Sequence, residues 1–207
     1  MATWSQYRGT IGDRSGAFAA ISAVRHVERA LYPGCYVDLS PSAAIAAVTY
    51  VDLDSRAARF FADPGGVSAE LAGFTRPGAG TEVEFLAVDY TEPLPLPDAG
   101  YDLLISLFAP AVWDSCRRYL QPGGLLLANT SYGDASLAAL DPNLRLVAVV
   151  LHQDGRYRLE TDHLDTYLVA GDPRSADSEA IRRTRRGIDY TRPAWAYLFE
   201  AVAGVGR

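Results

Sequence analysis

Residues 101–109, "YDLLISLFA", constrain the fold more than any other stretch. The run is almost continuously apolar. It is far shorter than the ~20 residues of a membrane span and too unbroken for a strand with one face in water. It fits a strand covered on both faces, as inside a parallel sheet. Shorter runs of the same kind precede it at 30–32, 48–51 and 84–90, and one follows at 125–131. Helical stretches lie between them: "SRAARFFADPGG" after the second run, and "PAVWDSCRRYL", with "QPGG" as its stop, before the fifth. Strands alternating with helices predict an α/β fold with a mostly parallel, doubly wound sheet and helices on both faces. The pattern then changes. "LRLVAVVLHQDGRYRLE" reads as a strand, an Asp154-Gly155 turn and a returning strand, which adds an antiparallel edge hairpin and brings the expected count to seven strands.

Residues 1–29 read as an irregular arm followed by a helix, in which Phe18, Ile21, Val24 and Val27 form an apolar stripe with His26 on its margin. The arm carries Trp4, Tyr7, Arg8, Asp13 and Arg14, with Gly9, Gly12 and Gly16 as hinges, a composition suited to a lid. A core that folds without residues 1–16 is expected. Residues 30–171 form the sheet domain. Residues 172–207 form an extension with "RRTRR" and the aromatic "YTRPAWAYLF", which packs on the domain or on a second copy in a homodimer. The net charge of −6 weighs against a nucleic-acid partner, since phosphate contact favours a basic face. The two cysteines, Cys35 and Cys116, make no disulfide framework or metal pair, and no secretory leader is recognised. A cytoplasmic protein that takes a small-molecule substrate, with no metal and no membrane partner, is the expectation.

In an open parallel sheet, ligands bind beyond the carboxyl ends of the strands, where strand order reverses. Those ends offer Tyr32, Pro33 and Gly34; Asp52, Leu53 and Asp54; Asp89 and Tyr90; and Ser106, Leu107 and Phe108. Asp52 or Asp54 suits the two hydroxyls of a ribose, unless both merely cap the helix starting at Ser55. Asp89 suits the exocyclic amine of an adenine, with Leu107 or Phe108 along the ring.

Four pieces, "ALYPGCYVDLS", "VTYVDLD", "VDYTEPLPLPDAGYDLLIS" and "RRYLQPGGLLLANTS", stand in an order that resembles the class I S-adenosylmethionine-dependent methyltransferases over about residues 17–170. The resemblance implies a Rossmann-like fold, S-adenosylmethionine as cofactor, and methyl transfer. It also brings Tyr36 and Asp38 into the cofactor loop. The superfamily pattern D-x-G-x-G-x-G, aligned on Gly34, meets Tyr32 at the acid, Tyr36 at the second glycine and Asp38 at the third. A tyrosine at a glycine position is expected to put a ring in the cofactor's path or to open the loop, and Asp38 to replace the missing acid. "SLFAP" lacks the [DN]-P-P-[YF] pattern of many amino-group methyltransferases, which favours a small-molecule acceptor. His26 and His163 are the candidate bases, and His152 sits beside the hairpin turn. Two alternatives stay open: a non-catalytic protein that binds an adenosine-type ligand or a protein partner, and a non-methylating enzyme on the same scaffold.

Overall fold

The computed structural model describes residues 2–74 and 80–202. Five parallel strands come first: β1 (Arg29–Pro33), β2 (Ala47–Val51), β3 (Glu82–Leu86), β4 (Tyr101–Ser106) and β5 (Leu120–Ala128). The hairpin follows as β6 (Leu144–Gln153) and β7 (Arg156–Glu160), and the chain closes with β8 (Ala196–Ala201). The order across the sheet is β3-β2-β1-β4-β5-β8-β6-β7. This is the expected doubly wound, Rossmann-like sheet, with strand order reversing between β1 and β4.

The sheet has eight strands rather than seven. The additional strand, β8, comes from the aromatic tail and lies antiparallel between β5 and β6. Its residues Ala196, Tyr197, Leu198 and Phe199 are buried. Part of the expected surface extension is therefore an inner strand; residues 203–207 lie outside the described residues.

"QPGG" does not stop a helix either. It lies within β5, where Tyr101 pairs with Leu120 and Leu103 pairs with Leu125. Two steps on β4 answer five on β5, so the segment loops out as a bulge with Gly123 at φ 76°. A bulge is where a strand tolerates proline.

The helices are α1 (Trp4–Ile11), α2 (Ser15–Val24), α3 (Ser55–Phe61), α4 (Pro64–Leu71), α5 (Val112–Cys116), α6 (Asp134–Leu140) and α7 (Ser178–Thr184). Strand residues alternate between two apolar cores. Tyr32, Ile105 and Leu127 join Trp4, Phe18 and Phe60 in one; Leu31, Leu104 and Leu126 join Trp113, Tyr119 and Tyr197 in the other.

The arm is not irregular. Thr3 caps α1 by accepting from the Gln6 N–H, Trp4 is fully buried with its ring 4.7 Å from that of Phe74, and the Arg8 guanidinium covers both rings. The Ser5 amide and hydroxyl both donate to Glu70. Removing residues 1–16 would therefore strip a buried tryptophan, a change of about 3–5 kcal/mol, from one of the two cores. Among the described residues no helix is long and apolar enough to cross a membrane.

Candidate functional site at the carboxyl edge of the sheet

The loop after β1 begins at Gly34, whose amide donates to the Val51 carbonyl at 2.8 Å and whose φ is +67°. A Cβ there would stand 2.5 Å from the Ala109 Cβ, so the segment after β4 lies directly on this turn. Tyr36 also has a positive φ, 48°. The backbone thus keeps a glycine-like bend at a tyrosine, held by the Tyr36 N–H donating to Asp52 at 2.7 Å. The Tyr36 ring meets Tyr7 of α1 edge-on at 5.0 Å and lies under the Arg56 guanidinium, also at 5.0 Å.

Asp52 accepts from the Tyr36 N–H on one oxygen and from the Asp54 N–H on the other, at 2.8 Å. It staples the turns after β1 and β2 together. Asp54 caps α3 and is gripped by Arg56 through its amide and its guanidinium, at 2.6–3.2 Å. The hydrogen bonds from Arg56 hold its pKa down at about 2. Asp54 is thus committed to the helix it begins. Between these two acids Leu53 is 63% exposed. Asp89 accepts the Thr91 N–H and hydroxyl on one oxygen, at 2.8 and 2.7 Å, and its other oxygen makes no hydrogen bond among the described residues. The Tyr90 hydroxyl donates to the Pro110 carbonyl at 2.9 Å, and burial pushes its pKa up to about 12.

A buried polar centre lies beside this edge. The Asp38 side chain is wholly buried. It accepts from Arg14 Nη1 at 3.2 Å, from the Tyr32 hydroxyl at 3.3 Å, and from the Ser40 amide and hydroxyl at 3.0 and 2.5 Å. Arg14, 6% exposed, lies at the junction of α1 and α2 with its guanidinium 4.5 Å from the centre of the Phe108 ring. Burial acts to lower the Arg14 pKa, but Tyr32 and Asp38 outweigh it and the net direction is upward. Burial drives the Tyr32 phenol well above its ordinary range.

The segment after β4 joins these parts. Leu107 is buried and Phe108 is 43% exposed at φ 60°, while Ala111 has φ 59°. Two left-handed non-glycine residues so close together are the kind of strain that collects at functional loops. Beneath them Ser106 donates to Asp134 at 2.7 Å, and the Trp113 N–H donates to the same carboxylate oxygen at 2.9 Å. Burial raises the Asp134 pKa. Its other oxygen, and Nδ2 of the neighbouring Asn129, have no hydrogen-bond partner among the described residues.

Tyr32, Pro33, Gly34, Tyr36, Asp38, Asp52, Leu53, Asp54, Asp89, Tyr90, Ser106, Leu107 and Phe108 therefore do share one edge of the sheet, but Asp38 and Asp54 are engaged by the chain's own arginines. The histidines stand elsewhere. α2 ends at Val24, so His26 is outside it, exposed and 3.0 Å from Glu28. It borders a cavity of about 350 Å³ with Ser22, Val27, Ile45 and Thr81 at the amino ends of the strands. His163 is exposed and its carbonyl accepts from Thr166. Asn129 and Asp134 were not among the sequence-derived residues, and Tyr7 and Arg14 were read only as part of a lid, without partners on this edge. Their contacts on this edge span from 21 to 29 residues of sequence and have no local signature.

The edge fits S-adenosylmethionine unevenly. The exposed Leu53 side chain, flanked by Asp52 and with Asp89 in the loop after the neighbouring strand β3, suits an adenosine. The superfamily alignment would put the amino-acid half at Tyr36 and Asp38, and these side chains are already occupied by Tyr7 and Arg14.

No protein-family model and no curated protein matches the chain. Among solved structures, it is similar to a SAM-dependent methyltransferase from Methanosarcina mazei at 16% identity, over 88% of this chain and 96% of the other, with a TM-score of 0.46. It is similar to the N-methyltransferase NodS from Bradyrhizobium japonicum at 14% identity, over 96% and 97%, with a TM-score of 0.45. The [4+2]-cyclase SpnF matches at 21% identity over 66% of this chain and about half, 52%, of its own length, with a TM-score of 0.42. These likenesses concern fold alone.

Proposed function

We propose that this chain, a Rossmann-like protein of class I methyltransferase architecture, is a cytoplasmic enzyme that transfers a methyl group from S-adenosylmethionine to a small-molecule acceptor. The observation that carries the reading is the Leu53 shelf. A leucine 63% exposed beside Asp52 at the end of β2 is an apolar surface with a hydrogen-bond acceptor at its rim. That pairing suits a purine stacked on Leu53 with its ribose hydroxyls at Asp52. Asp89 has the oxygen left over that an adenine amine requires.

The cofactor, when bound, supplies an electrophilic methyl on a sulfonium, so the protein's work is to orient the acceptor and exclude water. Phe108 and the strained segment after it lie against the β1 loop at Gly34 and Arg14, and they are the surface we assign to the acceptor. Asp134 and Asn129 lie directly beneath, one an acceptor and the other a donor without a partner. The acidic charge and the absence of the [DN]-P-P-[YF] pattern favour a small molecule over a nucleic acid.

Calorimetry with S-adenosylhomocysteine tests the reading. Binding near micromolar, about −8 kcal/mol, that weakens at least tenfold in Asp52→Ala supports it. The absence of heat from any adenosine-bearing ligand would sink it. A non-methylating protein that binds only the nucleoside is the second reading. It is favoured by the Arg14–Asp38 pair, which stands where an amino-acid tail would enter.

A further inference from the structure

The two outer strands of the sheet differ in their charge pattern. β3 ends the sheet on one side, and its exposed Glu82 and Glu84 are both acidic. An antiparallel copy of β3 would set acid against acid, which protects a bare edge. β7 ends the sheet on the other side and reads Arg156, Tyr157, Arg158, Leu159, Glu160. Tyr157 and Leu159 pack on one core, so Arg156, Arg158 and Glu160 lie on the opposite face, basic first and acidic last. Asp162 follows two residues later. This order is complementary to its own antiparallel copy.

Hydrogen bonding limits the register. Asp154-Gly155 is a two-residue turn, so Gln153 and Arg156 are the hydrogen-bonded pair beside it. Alternation then aims the N–H and C=O of Arg158 and Glu160 at β6, and those of Tyr157 and Leu159 at the open edge, where no strand lies among the described residues. A pairing centred on Tyr157 sets Arg156 against Arg158. One centred on Arg158 or on Glu160 sets that residue against itself. Centred on Leu159, every Arg158 meets a Glu160 and no like charges meet. We infer that β7 is the contact through which two copies of this chain associate, antiparallel about a twofold axis at Leu159. The Leu159 N–H donates to the carbonyl of the partner's Leu159, and Arg158 lies against the partner's Glu160; symmetry makes each contact twice. Arg158 is 3.8 Å from its own Glu160, a distance that leaves its guanidinium donors for the partner. The edge is preformed, since Tyr157 stacks on His152 at 4.2 Å and meets Trp195 edge-on at 4.9 Å. α2 packs on Tyr157 at Gly16 and carries no charge from Ser15 to Val24, so an uncharged helix flanks the contact. The contact is not the aromatic tail, whose β8 is an inner strand, and it lies at the opposite end of the sheet from Asp52 and Leu53. A strand edge is smaller than the ~800 Å² per partner of a standard interface, so a micromolar dissociation constant is expected.

Sedimentation velocity over a micromolar concentration series tests the inference. The wild type should reach twice the chain mass. Arg158→Glu and Glu160→Arg each bring like charges together twice and should weaken the dimer at least tenfold. An equimolar mixture of these two variants should form a heterodimer, because every pair across the axis is then of opposite sign. Both substitutions in one chain should restore the homodimer to within threefold. Amide exchange of the wild type needs no variant: the Leu159 amide should become protected as concentration rises, while those of Arg158 and Glu160, bonded to β6, stay constant. A wild type that remains monomeric, a Leu159 amide indifferent to concentration, a dimer that survives Arg158→Glu, or single variants that do not associate when mixed would overturn the inference. Growth past the dimer would overturn it as well, and would indicate β7 joining the acidic β3 edge of a further copy.

Discussion

Replacing Arg14 with methionine should destabilise the free protein by about 3 kcal/mol. The substitution keeps an unbranched chain against Phe108 but removes the cation from a carboxylate that is wholly buried. Deleting one partner of a buried pair typically costs about 3–5 kcal/mol, because the other charge remains without compensation. Asp38 retains hydrogen bonds from Tyr32 and from the Ser40 amide and hydroxyl, which moves the expectation to the low end. The lost guanidinium–Phe108 contact, about 0.5–1 kcal/mol, is offset by a methionine sulfur–aromatic contact of similar size, which leaves the total near the low end. For a chain of this size each kcal/mol lowers Tm by about 2–4 °C, so a fall of about 6–12 °C is expected. In Arg14→Met/Asp38→Asn the asparagine oxygen still accepts from the Ser40 amide and hydroxyl, its NH2 can donate to the Tyr32 hydroxyl, and most of the loss should return. Urea denaturation of the wild type, both single variants and the double variant gives the coupling energy directly. A loss under about 0.5 kcal/mol in Arg14→Met, or a coupling indistinguishable from zero, would refute the argument. Asp38 would then be carried by its neighbours on the β1 loop alone, and charge would not fasten the arm.

Gly34→Ala should cost about 2–4 kcal/mol, from a left-handed φ at a residue with a Cβ and from the 2.5 Å approach to Ala109. Adding Ala109→Gly should recover the steric part and leave about 1 kcal/mol, read from chemical denaturation; full recovery would mean that the φ carries no penalty. Asp134 gives a pH signature. Its folded pKa is raised by burial, so the stability it confers is complete below the ordinary aspartate value and is lost as pH rises through the folded value. Asp134→Asn is neutral at every pH and still accepts from Ser106 and Trp113. Its denaturation midpoint should therefore gain on the wild type from pH 3 upward and then level off; a pH-independent difference would contradict the burial argument.

The features legible in the sequence were those written locally. "YDLLISLFA" reads as a doubly covered strand, and β4 is that strand, with Leu103, Leu104 and Ile105 buried alternately in the two cores. Asp154-Gly155 reads as a hairpin turn, and both residues have positive φ between β6 and β7. What was missed depends on partners far away in the chain. "AYLFEA" has the aromatic, unbroken character of a buried strand, but nothing in it names β5 and β6 as its neighbours. α1 did leave a mark, since Thr3 and Gln6 have the spacing of a capping box. Gly9 and Thr10 obscured it, both being poor helix formers. The Arg14–Asp38 pair left none, since its 24-residue separation crosses a helix, a strand and a turn.

The loop after β1 shows how a fold can keep a backbone path while changing what that path contains. Gly34 and Tyr36 both lie in the left-handed region, so the loop makes a glycine-like bend at a residue that carries a side chain. A tyrosine there costs roughly 1–2 kcal/mol relative to glycine. That cost is offset by two contacts only a side chain could make, the edge-on ring of Tyr7 and the Arg56 guanidinium, beside an amide held on Asp52 at 2.7 Å. Each ties a different element, α1, α3 and the end of β2, to the same turn. A glycine at position 36 would relax the bend and release α1 and α3 from the side chain, while the backbone contact to Asp52 would remain available. The altered loop is therefore a fastening point for the arm. Whatever enters the edge of the sheet beside it has to compete with Tyr7 and Arg14 for the same ground.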